Sequence, residues 1–114
     1  MAIRIPEEIR ILARTYKVEF VTNLLTDKDC AGEISYREQS LRLQPSCEGV
    51  PRHREMIEVS FFHELIHGCL YELSYHDLQK DEEFVDRVAN VLYAALRDSG
   101  MLVFEDRIAI GFPE

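Results

Sequence analysis

The sequence predicts an α+β fold in which one central helix packs with two further helices against a small, mainly antiparallel sheet. Three observations carry this. From about residue 52 to 73 the pattern is helical, and after Ser60 it is apolar on nearly every side (Phe61, Phe62, Leu65, Ile66, Cys69, Leu70, Leu73). A helix of that kind belongs in the middle of a domain. Ahead of it, the short alternating segments 31–36 and 41–43 flank the polar run 37–40 and read as a β-hairpin. Behind it, residues 81–97 repeat apolar side chains at helical spacing and stop near Gly100.

The remaining elements follow in chain order. Pro6 followed by Glu7 and Glu8 reads as a helix start, since proline fits the first turn and acids suit its positive end. Ile9, Leu12 and Ala13 continue at helical spacing, so a first helix is expected over about 6–16. Val18, Phe20 and Val21 form a β-favouring stretch, and Pro45 and Gly49 punctuate a loop after the hairpin. Residues 74–80 are a polar break, and the tail 101–114 suits either one more strand or a loose helix. There is no repeat, low-complexity run or linker, so residues 1–114 are read as a single domain.

Composition narrows the function. Apolar residues make up 46% and charged residues 30%, interspersed, which describes a folded globule. A net charge of −8 repels phosphate backbones and argues against nucleic acid as a partner. The most apolar stretch is broken by His63, Glu64, His67 and Glu72, so no membrane span is expected. The three cysteines are odd in number and contain no CxxC, which points to a reducing compartment. With no apolar leader in MAIRIPEEIR, a cytoplasmic protein is expected.

The chemistry lies in His63-Glu64-Leu65-Ile66-His67, an HExxH pattern inside the central helix. Positions i and i+4 share a helix face, so two imidazoles there can hold one metal ion. Glu64 projects beside that face, where it can take the proton of a metal-bound water as general base. Buried polar groups must be paired, and this helix is too apolar to hold two histidines and a carboxylate idly. A catalytic site of this type needs a third protein ligand. His76 falls beyond the expected helix end and reads more simply as a loop or capping residue. The acidic start of the last helix is the better source, although acids there also complement the helix dipole. On a wheel of about 100° per residue counted from Asp81, Phe84, Val85, Val88, Val91, Leu92 and Ala95 form an apolar face centred near 0°. Glu82 lies at its edge, Asp86 one turn further on, and Glu83 toward solvent. Glu82 is therefore the favoured ligand, with Asp86 orienting a ligand histidine. The inverse, Asp86 as ligand with Asn90 behind it, stays open.

HELIH on a central helix followed by a glutamate on the next helix resembles the gluzincin clan of zinc peptidases. The hairpin ahead of the motif, and the segment from Glu82 to Asn90, are similar to the small ImmA/IrrE-type and phage-encoded metallopeptidases. This resemblance implies one zinc ion per chain, held by His63, His67 and Glu82 in a zincin-like domain. It implies cleavage of a protein or peptide substrate, such as a phage or mobile-element regulator, with Glu64 as base. It also implies a hairpin strand along the cleft, either 41–44 or 33–36, to which an extended substrate adds by β-augmentation. A tyrosine or histidine should stabilise the oxyanion; Tyr71, Tyr75, His76 and His53 are the candidates. Two other readings remain: a deformylase-like hydrolase using Cys47 as ligand, and a non-catalytic module that binds zinc or a regulator.

Overall fold

The computed structural model describes residues 4–22, 31–47 and 49–99. At its N-terminal end, Ile9 and Ile11 turn inward while Glu8 and Arg10 stay exposed. That is a period of two, and the chain obeys it. β1 (Glu8–Ile11) and β2 (Arg14–Phe20) form an antiparallel hairpin where a helix over 6–16 was expected. The reversal is made by Leu12 at φ 54°, a conformation L-residues adopt at a cost and glycine usually marks. Tyr16 and Val18 then continue the buried face of β2.

The expected second hairpin is present. β3 (Gly32–Ser35) pairs antiparallel with β4 (Ser40–Leu43) in the register Ile34↔Leu41. β4 also pairs in parallel with β2, so the sheet order is β1-β2-β4-β3. β4 is thus interior, which removes 41–44 as an edge strand, and β3 forms the edge. A small ribbon of β5 (Ser46–Cys47) and β6 (Val50–Pro51) leads into the central helix. Cys47 is disulfide-bonded, where the odd cysteine count and spacing had suggested no disulfide. Cys69 is a free, half-buried thiol.

α1 (Arg54–Glu72) lies across one face of the sheet and packs on α3 (Glu82–Ser99). The core between them joins Val18, Leu41 and Leu43 of the sheet to Ile57, Phe61 and Phe62 of α1 and Ala89 and Tyr93 of α3. Gly68 allows the close approach: a Cβ there would stand 2.9 Å from the end carbons of both Ile11 and Ile34. Arg52 ties the layers at the other end. Its guanidinium donates to the carbonyls of Ala31 and Gln44 and to Ser60 Oγ on α1. Two carboxylates of α1 are anchored alike by a tyrosine and an arginine: Glu58 by Tyr93 and Arg54, Glu72 by Tyr16 and Arg14. Among the described residues, no helix is long and apolar enough to cross a membrane.

The expected polar break begins with a well-defined turn. The Ser74 amide bonds the Tyr71 carbonyl and the Tyr75 amide bonds the Leu70 carbonyl, a Schellman stop with Ser74 at φ 67°. The chain folds back into α2 (His76–Gln79), four residues where none were expected to be helical. α3 then starts under Asp81, whose Oδ1 accepts from the Phe84 amide. Its buried face is Val85, Ala89 and Tyr93, centred near 80° on the wheel at about 100° per residue rather than near 0°. Val91, read as apolar face, is 71% exposed.

Two stability measurements follow. In urea unfolding, Gly68→Val should destabilise by about 1–3 kcal/mol, the usual cost of overpacking. Ser74→Gly should stabilise by about 0.5–1 kcal/mol, because glycine relieves the left-handed stop.

Candidate metal centre

Rotation of the buried face of α3 toward Glu82 places that residue opposite α1. His63 and His67 stand one turn apart on α1, ring centres 4.9 Å from each other. Glu82 Oε1 lies 3.0 Å from His63 Nε2 and 3.2 Å from His67 Nε2. One ligand atom from each of the three residues falls within 4.8 Å of the others. Two imidazoles and a carboxylate form a donor set that suits first-row divalent metals.

His67 has a second partner. Its Nδ1 lies 3.0 Å from Oε1 of Gln79, an amide oxygen that only accepts. An Nδ1–H donating to that oxygen leaves Nε2 facing the Glu82 carboxylate at 3.2 Å. A proton on Nε2 or a metal ion between the two makes so close a pair favourable.

Asp86 stands beside His63, its Oδ1 3.6 Å from Nδ1. It is placed toward His63 and outside the three-residue cluster. Asn90 bonds the Asp86 backbone carbonyl within its own helix.

Glu64 is 7% exposed and lines a cleft of about 680 Å³ together with His63, His67 and Glu82. Burial pushes its carboxyl above the ordinary range, the charges of Glu82 and Glu33 add to this, and His63 and His67 oppose it. Gly32 of β3 forms the facing wall: a Cβ there would stand 3.5 Å from Glu64 Cγ and 2.7 Å from the Arg42 carbonyl oxygen.

The aromatic candidates are arranged differently from expectation. Tyr71, Tyr75 and His76 are not among the cleft-lining residues; Tyr36 is. Tyr71 stacks on Tyr36 at 3.9 Å and 1°, and His76 meets Tyr71 edge-on. Tyr75 is exposed at the start of α2 and His53 sits at the start of α1. The Tyr36 hydroxyl donates to Gln79 Oε1 at 2.8 Å. Burial, with the charges of Glu64 and Glu82, raises its pKa, so it stays a proton donor. Tyr36 and Gln79 belong to no motif. Tyr36 ends an alternating segment and Gln79 sits in a polar break, and only the fold brings them to His67.

No protein-family model, no characterised protein and no solved structure matches the chain.

A divalent cation that binds this cluster stabilises the folded chain by mass action. At about one hundred times its dissociation constant, the gain is about 2.7 kcal/mol. In thermal unfolding with added zinc, the wild type should shift upward, while His63→Ala and His67→Ala should not.

Proposed function

We propose that the chain is a zinc-dependent peptidase of gluzincin type, akin to the ImmA/IrrE-type enzymes it resembles. One observation carries the reading: Glu64 lies in the same cleft as a His-His-Glu cluster whose possible ligand atoms lie within 4.8 Å of one another. Two atoms bonded to zinc at about 2.0–2.1 Å and separated by a tetrahedral angle lie about 3.3 Å apart. The observed separations of 3.0 and 3.2 Å fit that spacing. His63, His67 and Glu82 would hold the ion, with Asp86 beside His63. A purely structural site has no use for Glu64.

Zinc, when bound, supplies Lewis acidity that lowers the pKa of water and polarises a carbonyl. The chain's own residues do the rest. An extended peptide lies beside β3, whose outer edge has no neighbouring strand among the described residues, and pairs with it through main-chain hydrogen bonds. Glu64 takes a proton from the attacking water as the water oxygen bonds the scissile carbonyl carbon. It then delivers that proton to the amide nitrogen as the C–N bond breaks. A carboxyl raised by burial is better matched to this exchange than an ordinary one. Tyr36 donates its hydroxyl to the carbonyl oxygen as charge builds there. Because Cys47 is disulfide-bonded, the deformylase-like ligand set receives no support.

The test compares wild type with Glu64→Gln, each loaded with zinc and incubated with a proteome-derived peptide library, new termini being counted by mass spectrometry. Glu64→Gln should keep one zinc per chain and lose cleavage by about 10²- to 10⁴-fold. Equal cleavage by both proteins would remove Glu64 as the base, and none by either would make the cleft a binding module.

A further inference from the structure

One atom serves two neighbours at the wall of the cleft. Oε1 of Gln79 accepts the Tyr36 hydroxyl at 2.8 Å and the His67 Nδ1–H at 3.0 Å. An amide oxygen has two lone pairs, so both bonds form together without competing. Gln79 ends α2, which the turn at Ser74 folds back toward α1.

We propose that Gln79 is a positioning residue for two groups at once. It fixes His67 with Nε2 toward Glu82, and it parks the Tyr36 hydroxyl until a substrate oxygen takes it. This rests on the reading of the cleft as a metal-dependent peptidase site.

The two roles separate cleanly. A metal-binding imidazole needs an acceptor for its other N–H, which sets the tautomer and aims the ring. For His67 that acceptor is a neutral amide; beside His63 the Asp86 carboxylate stands at 3.6 Å, beyond hydrogen-bond distance. Tyr36 is held differently. Its ring lies flat against Tyr71, so the hydroxyl changes partner by rotating its proton, with no movement of the ring. When it turns to substrate, Gln79 keeps its bond to His67 and the metal ligand is undisturbed. Losing Gln79 therefore affects both metal affinity and turnover. Losing the Tyr36 hydroxyl affects turnover alone.

The experiment measures zinc affinity by competition with a chromophoric chelator for wild type, Gln79→Leu, Gln79→Glu and Tyr36→Phe. It adds kcat and KM on a cleaved peptide, and the ring N–H signals of zinc-loaded, ¹⁵N-histidine-labelled wild type. Gln79→Leu should weaken zinc by about 10- to 100-fold. Gln79→Glu, which keeps an acceptor in place, should restore affinity to within about threefold. Tyr36→Phe should bind zinc within about twofold of wild type and lose kcat, by about 10² or more, rather than KM. In the wild type, His67 should show a slowly exchanging proton on Nδ1. Gln79→Leu binding zinc as wild type does, or Tyr36→Phe weakening zinc equally, overturns the proposal and leaves the metal site standing. Should Gln79→Leu not fold, the NMR signal decides: a His67 without that Nδ1 proton also overturns it. A wild type that takes up no zinc removes the metal reading and this inference together.

Discussion

Between α1 and α3, the Nε2 of His67 and the carboxylate of Glu82 face each other at 3.2 Å. The amide oxygen of Gln79 lies 3.0 Å from Nδ1 on the opposite side of the ring. A proton or a metal ion between Nε2 and the carboxylate makes so close a pair favourable, and the surrounding structure holds both in place. The sheet supports α1 from below, α3 brings Glu82 across, and the short α2 supplies the amide.

Contrast among the carboxylates of α1 shows what is special about the cleft. Glu58 and Glu72 each have a tyrosine hydroxyl at 2.5 Å and an arginine within 3.1 Å, a pairing that neutralises a buried acid. Glu64, also buried, has no arginine beside it among the described residues; the imidazoles of His63 and His67 lower its pKa while burial, Glu82 and Glu33 raise it. A perturbed carboxyl in a cleft without a fixed cation is a candidate functional group.

Much of this was legible in the sequence, and the failures have a common cause. HELIH at helical spacing placed three site residues, and the hairpin of β3 and β4 followed from alternation. Glu82 was reached by the wheel, although the apolar face it was measured against was set too far toward Phe84 and Val91. A helix's buried side depends on its neighbours, and Ala89 and Tyr93 carried less apparent hydrophobicity than the valines. The 6–16 helix was misread because Pro6-Glu7-Glu8 imitates a helix start. The tight turn at Leu12 carries no glycine to announce it. Gln39, at φ 53°, and Ser74 are equally silent. Each is a left-handed residue of an ordinary type, tolerated because the surrounding hydrogen bonds over-determine it. Tyr36 and Gln79 depend on those turns, so no local pattern could have revealed them.

The open edge of β3 has a consequence for the chain in company with itself. A strand with one unsatisfied side is a template for any extended segment, including the same strand of a second copy. β3 has only four residues, and one is the charged Glu33, held by Arg42 at 2.9 Å. Both features discourage sheet-to-sheet growth, as short and charged edges do elsewhere. Lengthening this strand or making it more apolar would make the edge a better template for any extended segment and invite self-association in equal measure. Solubility thus sets an upper limit on how long and how apolar such an edge can be.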